Sequence, residues 1–477
     1  MIKILIHEEI MKNIDEYILQ HQEKIKNVAK YRKFFKNQVG KHYKKRIIKN
    51  LRLKDEVARW LNPDGTITIG GVITDDITID DIIVESTLPK AAVNTLKTYS
   101  VGEAPYIDID VTNTKKDWKK DFEIRENIRG KTKQLVEEAL VTGNAFVKVE
   151  KGDNNKAEVI VLPVENVIII PDPNNISKVA GYIYFCELEK ETSDGKNTKY
   201  KYIEIYQLDG KVFVYNGIDD KEPTEVDPTT NEINLHHVSG IEREGLYGKS
   251  IFEGLETTFL EIVIRLTSNS YLFNKINNPN MVGSGGMAAL NRETGEKEVK
   301  SGTYTDFESP EQANSVRYVE PPTSHVTAIY EHLKINMQNA YSQLGVNEIA
   351  LGLSREGNTA SGEAFKKAIT STLNKCRDIT TNLYAPLYNI YKQAYLIEEK
   401  ATLSLDIIFK DGISLSEKEE LENEAIQVTN KLLSRKSILL KRGFTEEEAE
   451  KELERIMEEE EKLFGTISET LEEKDLD

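Results

Sequence analysis

The chain has 477 residues, of which 30% are charged, and its formal net charge is −17 at pH 7. This length exceeds a single compact core and predicts two to four structural units, while the negative charge disfavours a protein that binds nucleic acid over its whole surface. The two distant cysteines, Cys186 and Cys376, and the lack of any run of 18 apolar residues disfavour a disulfide scaffold and a membrane-spanning helix.

Residues 1–60 are predicted to form a basic helical arm. From Lys24 to Lys54 the sequence has thirteen Lys/Arg and no Asp/Glu. Three interpretations of this stretch remain open: a solvated basic helix, a nucleic-acid contact or a docking surface. Its aromatic residues favour helix packing; they are Tyr31, Phe34, Phe35 and Tyr43.

Residues 61–248 are predicted to be mainly β-structure. Short strands are expected within 66–84, and a helix over Lys131–Val141 should end at Gly143. Turn residues then separate strand-like runs with no helix between them, which indicates an antiparallel sheet rather than a dinucleotide-binding unit. The runs are 145–149, 158–162, 167–170, 181–188, 200–208 and 212–215.

From Lys249 the apolar spacing becomes helical. A first helix is predicted over 249–276, a polar Gly-rich segment over 277–322, and a second helix over 323–344 that ends at Gly345. The next segment, 345–361, is a glycine-punctuated loop with an apolar centre, and its glycines permit a mobile backbone.

The C-terminal third is predicted to be helical with one strand. Residues 362–412 hold a long helix, which we expect Pro386 to kink, and a strand over Leu403–Phe409. Residues 413–477 are predicted to be acidic helices with a mobile tail, since Ser414 to Asp477 has ten Lys/Arg against twenty Asp/Glu. The fold class expected for the whole chain is α+β.

No catalytic constellation is found in the sequence. Gly248-Lys249-Ser250 matches the end of a phosphate-binding P-loop, but Arg243 occupies the position of its first glycine. The paired histidines, His236 with His237 and His325 with His332, lack a cysteine or carboxylate at a metal-ligand spacing, which favours packing or surface roles. We therefore expect no enzymatic activity, no catalytic residue, no metal site and no cofactor.

The order of these elements resembles that of the portal proteins of tailed bacteriophages, especially long-tailed phages, over roughly residues 20–465. The resemblance is carried by a series of short motifs around the two predicted helices. They are Tyr247-Gly-Lys-Ser-Ile-Phe, Asn278-Pro-Asn-Met, Ser284-Gly-Gly, Tyr318-Val-Glu-Pro-Pro-Thr-Ser-His, Ala350-Leu-Gly-Leu-Ser and Ser361-Gly-Glu-Ala-Phe-Lys.

This resemblance implies a portal fold with named parts. The helices over 249–276 and 323–344 would form a two-helix stem, and 277–322 a clip between them. Residues 345–361 would be a tunnel loop that projects into a channel. A wing would combine 61–248 with the long kinked helix and strand of 362–412, and 413–477 would be a helical crown. The basic arm departs from the pattern.

The resemblance also implies function and partners. The chain would form a homo-oligomeric ring, a dodecamer in the family's usual state, at one capsid vertex of the virion, after assembly in the host cytoplasm. Double-stranded DNA would pass through without sequence specificity during packaging, retention and ejection. The terminase packaging motor, head-to-tail adaptors, and capsid and scaffolding proteins would be partners, with no membrane involved. A different virion structural or adaptor protein is the main alternative, and a nuclease or ATPase is another.

Two sets of candidate residues follow. The tunnel loop would tune its charge toward DNA through Glu348, Arg355 and Glu356, although a buried packing loop also explains its apolar centre. The clip set would dock the motor, although a merely solvated loop tip is the alternative. The tunnel-loop residues are Val346, Asn347, Glu348, Ile349, Ala350, Leu351, Gly352, Leu353, Ser354, Arg355, Glu356 and Gly357, and the clip residues are Arg292, Glu293, Glu296, Lys297, Glu298 and Lys300.

Overall fold

A computed structural model describes residues 13–458 with internal gaps. Backbone contacts divide the chain into two compact units, Met1–Asn358 with Ile369–Gly412, and Thr359–Ala368 with Ile413–Asp477. Each unit is described by itself. The gaps are 51–65, 70–71, 79–82, 110–112, 153, 173, 192–196, 209, 216–223, 227–231, 278–280, 285–288, 291–296, 299–303, 308–316, 319–322, 354–361, 411–416, 432 and 442–447.

The first unit contains most of the helices and every strand found in the described residues. Its helices are α1 (Ile14–Lys24), α2 (Val28–Phe35), α3 (Val39–His42), α4 (Lys44–Asn50), α5 (Leu88–Val101), α6 (Asn113–Arg125), α7 (Ile128–Thr142), α8 (Glu256–Asn277) and α9 (Thr323–Leu344). The second unit begins with α10 (Gly362–Ala368), and the first unit resumes with α11 (Thr370–Glu399).

The strands of the first unit are short except for two in its largest sheet. They are β1 (Thr66–Ile69), β2 (Val72–Thr78), β3 (Tyr106–Ile109), β4 (Asn144–Lys151), β5 (Ala157–Leu162), β6 (Val167–Asp172), β7 (Asn175–Glu191), β8 (Asn197–Gln207), β9 (Val212–Tyr215), β10 (Thr224–Val226), β11 (Leu235–Ser239), β12 (Arg243–Glu244), β13 (Tyr247–Gly248), β14 (Met281–Ser284), β15 (Ala289–Leu290), β16 (Lys297–Glu298), β17 (Tyr304–Phe307), β18 (Arg317–Tyr318) and β19 (Leu405–Ile408).

All six strand-like runs between 145 and 215 are strands, and they pair antiparallel as predicted. They belong to two sheets, which the sequence did not indicate: a five-stranded sheet in the order β10-β9-β8-β7-β6 and a three-stranded sheet in the order β11-β4-β5. The predicted strand near 405 also exists as β19. Its partner is β3, nearly 300 residues earlier, which the sequence analysis missed.

The central part of the five-stranded sheet is buried on both faces. On one face, Ile168 and Ile170 of β6 pack with Ile14 and Ile18 of α1. On the other face, Val167 and Ile169 pack with residues of the three-stranded sheet. Successive side chains of a strand point to opposite faces, so the unbroken apolar run of β6 is what a doubly covered strand requires.

The helices of the arm pack onto the rest of the first unit. Phe34 is fully buried, and its ring lies 6.2 Å from Phe252 and 5.9 Å from Phe259. Tyr31 is also buried and donates a 2.8 Å hydrogen bond to Glu256, in the first turn of α8. The packing role predicted for these two aromatic residues is confirmed. Phe35 and Tyr43 are only half-buried.

The start of the first long helix was predicted incorrectly. It begins at Glu256 rather than Lys249 because residues 251–254 form a turn. The Ser250 hydroxyl donates to the carbonyl of Val141 at 2.6 Å and accepts from the backbone N–H of Phe252 at 3.2 Å. Gly254 then adopts a left-handed conformation, with φ of +84°. Phe252 and Leu255 therefore keep helical spacing while lying outside the helix.

The helix predicted from 362 onward is two helices. The interruption falls at Ile369, a fully buried residue with φ of −103° and ψ of 17°. Helix α11 continues through Pro386 to Glu399, and the kink expected there stays a prediction. The second unit also contains α12 (Glu417–Thr429), α13 (Arg435–Lys441) and a helix over 448–458, in agreement with the helices predicted for this part of the chain. The acidic tail beyond 458 lies outside the described residues.

Candidate functional site: the α8–α9 pair and the turn after it

Helices α8 and α9 pack against each other, and they differ in how much of each is covered. Between Phe259 and Ile264, α8 is buried on most sides. Helix α9 buries one narrow stripe and leaves a wide outer face in which Tyr330 is 60% and Ile335 53% exposed. Among the side chains of α9 that the structure describes, the buried ones are Leu333, Ala340, Tyr341 and Leu344.

The exposed face of α9 is almost free of charge. Between Thr327 and Gln343, Glu331 and Lys334 are the only acidic or basic residues apart from His332, although 30% of the whole chain is charged. The His332 ring nitrogen lies 3.9 Å from the carboxylate of Glu261 on α8. The outer face therefore carries uncharged polar and apolar side chains and very little net charge. It offers no cluster of cations to hold phosphates.

Helix α9 ends in a tightly closed cap. The backbone N–H of Gly345 donates to the carbonyl of Ser342 at 3.2 Å, and that of Val346 to Tyr341 at 3.0 Å. This pair of bonds is a Schellman motif, which needs a left-handed residue after the helix. Gly345 supplies it with φ of +68°, and the side chain of Lys375 lies across it. Val346 is buried at 2% exposure.

A single helical turn follows at once. The side-chain oxygen of Asn347 accepts from the backbone N–H of Ala350 at 2.7 Å, which is the geometry of a helix N-cap. The backbone carbonyl of Asn347 accepts from Leu351 at 3.1 Å and closes the turn. Ala350 is buried at 7% exposure, so this side of the turn packs against the protein.

The turn closes with a second Schellman motif. The N–H of Gly352 donates to Ile349 at 3.0 Å and that of Leu353 to Glu348 at 2.9 Å, with Gly352 at φ of +72°. Leu353 is 63% exposed. The glycines therefore hold defined left-handed positions in this conformation, where the sequence analysis inferred backbone freedom.

The candidate residues fall partly within this geometry. Val346 to Leu353 form the doubly capped turn, and one side of a cavity of about 480 Å³ is lined by its first residues together with Tyr341 and Ser371. Burial, reinforced by the charge of Glu348, raises the pKa of Tyr341. The rest of the predicted tunnel loop, Ser354 to Gly357, lies outside the described residues.

The predicted clip residues are described only in part. Lys297 and Glu298 form β16, which pairs antiparallel with β15 through Leu290 and Ala289. Arg292, Glu293, Glu296 and Lys300 lie outside the described residues.

Before α8 begins, the backbone at Gly248 crosses close to the backbone at Gly143 and Asn144, a contact that the sequence does not indicate. The side chain of Asn144 forms two hydrogen bonds with the backbone of Gly248. It accepts from the Gly248 N–H at 2.8 Å and donates to the Gly248 carbonyl at 3.2 Å. A Cβ atom on Gly248 would lie 2.0 Å from the carbonyl oxygen of Gly143. The motif Tyr247-Gly-Lys-Ser therefore needs glycine at 248, because the backbone of Gly143 passes too close for any side chain. The motif by itself does not reveal this reason.

Two adjacent histidines of β11 form side-chain hydrogen bonds near this crossing; His236 is buried and His237 is partly buried. His237 lies 2.9 Å from the Asn144 side-chain oxygen, and burial together with the nearby charge of Arg243 lowers its pKa to about 3. A neutral His237 therefore donates its Nε2–H to Asn144. His236 lies 2.9 Å from the side-chain oxygen of Gln393 on α11. The packing role predicted for these two histidines is confirmed.

Within the described residues, every helix is too short or too polar to span a lipid bilayer. Those residues also bring together no group of three or more His, Cys, Asp or Glu side chains that could hold a metal ion.

Comparisons with known proteins place the chain in a family. The family model described as phage portal protein, SPP1 Gp6-like, matches residues 14–463, and the chain belongs to this family. No curated protein matches it in sequence. Among solved structures, a chain from the neck of an empty GTA particle, computed with C6 symmetry, is similar at 12% identity and a TM-score of 0.39, covering 76% of this chain and 90% of that chain. The resemblance to phage portal proteins and the α+β fold class are both confirmed.

Proposed function

We propose that this chain assembles into a closed ring that conducts double-stranded DNA at one capsid vertex during packaging, retention and ejection. Membership of the portal family supports the general role. The observation that carries the channel assignment is the continuity of α9, with its nearly uncharged outer face, into a rigid turn that ends in the exposed Leu353.

The charge distribution suits a surface over which DNA slides. Affinity for duplex DNA grows with the number of phosphates that cations neutralise, so a channel lined by many Lys and Arg would hold DNA in place. The outer face of α9 has Lys334 as its single lysine between Thr327 and Gln343. Such a face neither binds DNA firmly nor repels it strongly, which is what transport in both directions requires.

In this proposal the segment Val346–Gly357 is the tunnel loop. Val346 and Ala350 anchor it in the subunit, while Leu353 is presented outward. Copies of Leu353 around a ring axis would make an apolar collar. A collar of this kind follows the DNA surface without reading sequence, because it offers no hydrogen-bonding groups at a fixed spacing to base edges.

The segment 277–322 is the proposed clip, at which the terminase motor and later the head-to-tail adaptors dock. Its mixed-charge residues, Arg292 to Lys300, lie between the two stem helices in sequence, remote from the apolar stripes of α8 and α9. Capsid and scaffolding proteins would contact the rest of the ring. The chain itself acts as a structural subunit, and the motor supplies the energy for packaging.

Ring formation is the first test of this proposal. Negative-stain images of the purified protein should show closed rings with a hole wide enough for duplex DNA, at high salt where repulsion between acidic subunits is screened. A chain that stays monomeric at micromolar concentration under every salt condition would contradict the proposal.

Deletion of Ile349–Leu353 tests the loop separately. We expect this deletion variant to form rings but to package or retain DNA poorly. Normal packaging and retention by this variant would refute the loop's role. Failure to assemble would instead favour a purely structural packing role for the turn.

A further inference from the structure

The basic arm has an inner face and an outer face with different partners. On the inner face, Lys30 pairs with Glu256 at 3.1 Å, and Arg32 bridges Glu138, at 3.1 Å, and Glu165. These ion pairs neutralise the cations that face the rest of the subunit. Other described cations of the arm, between Lys33 and Arg46, are exposed to solvent.

The outer face carries a group of exposed cations. No ion-pair partner is found for its members among the described residues, and no acidic residue occurs anywhere between Lys24 and Lys54. In a chain of net charge −17, this makes the arm a locally positive surface. Between Lys33 and Arg46, the exposed cations are Lys33, Lys36, Lys41, Lys45 and Arg46.

The backbone that presents these lysines is fixed. Asn37 adopts a left-handed conformation with φ of +56° and ends α2, and the N–H of Gln38 donates to the carbonyl of Lys33 at 2.9 Å. The carboxylate of Glu85 then accepts from the N–H groups of Gly40, at 2.8 Å, and Lys41, at 2.9 Å. The lysines around this corner are therefore held at defined positions rather than on a loose tail.

The composition of the surface identifies the chemistry of its partner. Between residues 24 and 46 no large apolar side chain is exposed, whereas a stable protein interface needs an apolar centre and is depleted in lysine. Contacts to a phosphate backbone need only positive charge at suitable spacing. A nucleic-acid backbone fits this surface better than an acidic protein does.

We propose that the outer face of the arm, formed by Lys33, Lys36, Lys41, Lys45 and Arg46, binds the phosphates of duplex DNA without sequence preference. This site is distinct from the proposed channel and requires no passage of DNA through a ring. The arm binds DNA, and the nearly uncharged α9 face lets it slide, so the two surfaces divide opposite tasks between them.

Closed circular duplex DNA is a probe for binding at the arm alone, because an intact circle cannot thread through a preformed ring. The variant K33E/K36E/K41E/K45E of the full chain is compared with K90E/K120E/K151E/K178E, which reverses the same number of exposed lysines elsewhere. Gel shifts of the circle are recorded from about 50 to 200 mM salt. Size-exclusion chromatography with light scattering reports the oligomeric state, and circular dichroism reports folding.

The arm variant should bind the circle at least about tenfold more weakly at 100 mM salt. Its slope of log affinity against log salt should fall by about 3 to 4, since each lost phosphate contact removes about 0.9. The control variant should stay within about twofold of the original chain. The milder K33Q/K36Q/K41Q/K45Q variant should give an intermediate loss and takes the place of the reversal if the latter misfolds.

Three results would overturn the proposal. Unchanged binding by the arm variant would show that the arm does not contact DNA, and an equal loss in both reversal variants would show that only net charge matters. Retained DNA binding with lost binding to polyglutamate would assign the surface to an acidic protein. A chain that forms no ring yet binds the circle through the arm would contradict the proposed channel and leave this site intact.

Discussion

The two capped ends on either side of Asn347 share one backbone geometry and differ in what covers them. The Val346 N–H bonds back to Tyr341 at 3.0 Å, and the Leu353 N–H bonds back to Glu348 at 2.9 Å. Val346 is 2% exposed, whereas Leu353 is 63% exposed. Local sequence chemistry thus sets the backbone in both places. Tertiary packing decides whether the apolar side chain stabilises the subunit or stays available to another molecule.

The largest expected effect comes from placing a charge at each of the two ends. Val346→Asp should lower the free energy of unfolding by more than about 3 kcal/mol, because it buries a carboxylate without a partner. Leu353→Asp should change it by less than about 0.5 kcal/mol, because that position is solvated. Urea unfolding of the two variants measures the difference directly.

The same pair separates stability from function. Leu353→Asp should leave ring assembly intact and reduce DNA packaging or retention, since it places charge in the proposed collar. Similar unfolding free energies for the two variants would break the comparison, because they would mean that Val346 is not buried in solution. A Leu353→Asp variant that packages normally would remove the functional reason for its exposure.

How far the sequence predicts structure differs between the two long helices. The bounds of α9 were predicted correctly, because its apolar stripe runs to a glycine that stops it. The start of α8 was predicted incorrectly, because Phe252 and Leu255 keep helical spacing although they precede the helix. The turn before the helix depends on the bond from Ser250 to Val141, 109 residues earlier, and no local pattern contains such a contact.

The candidate site was predictable to a similar degree. The glycines and the apolar centre of 345–353 marked a special segment. The two successive caps depend on backbone bonds that composition alone does not specify. The crossing at Asn144 and Gly248 was missed as a physical feature, because a glycine demanded by close backbone approach looks like any other until its neighbour, Gly143, is known. Likewise, the sequence did not decide among the three interpretations of the basic arm, because the inner ion pairs of the arm join residues that are distant in sequence.

Alanine at each of the two cap glycines should give a smaller contrast. Both Gly345→Ala and Gly352→Ala force a side chain into a left-handed conformation, which costs about 1 kcal/mol. At Gly345 the new Cβ would also lie 3.0 Å from Lys375, whereas at Gly352 nothing lies within 4 Å. We expect Gly345→Ala to be the more destabilising by about 0.5 to 1 kcal/mol in urea unfolding. Equal losses would show that the Lys375 side chain simply moves aside.

The most local expected effect concerns Asn347, which lies between the two caps. Asn347→Ala removes the acceptor for the Ala350 N–H and should cost about 1 kcal/mol, the usual value for a lost helix N-cap. Asn347→Asp keeps an oxygen in the same place and should retain most of that stability. Amide hydrogen exchange at Ala350 to Leu353 should rise in the alanine variant, while exchange at Val346 should stay slow because the preceding cap is independent. Faster exchange at Val346 as well would mean that the two caps form one cooperative unit, and Leu353 would then be held in place by the same packing that buries Val346.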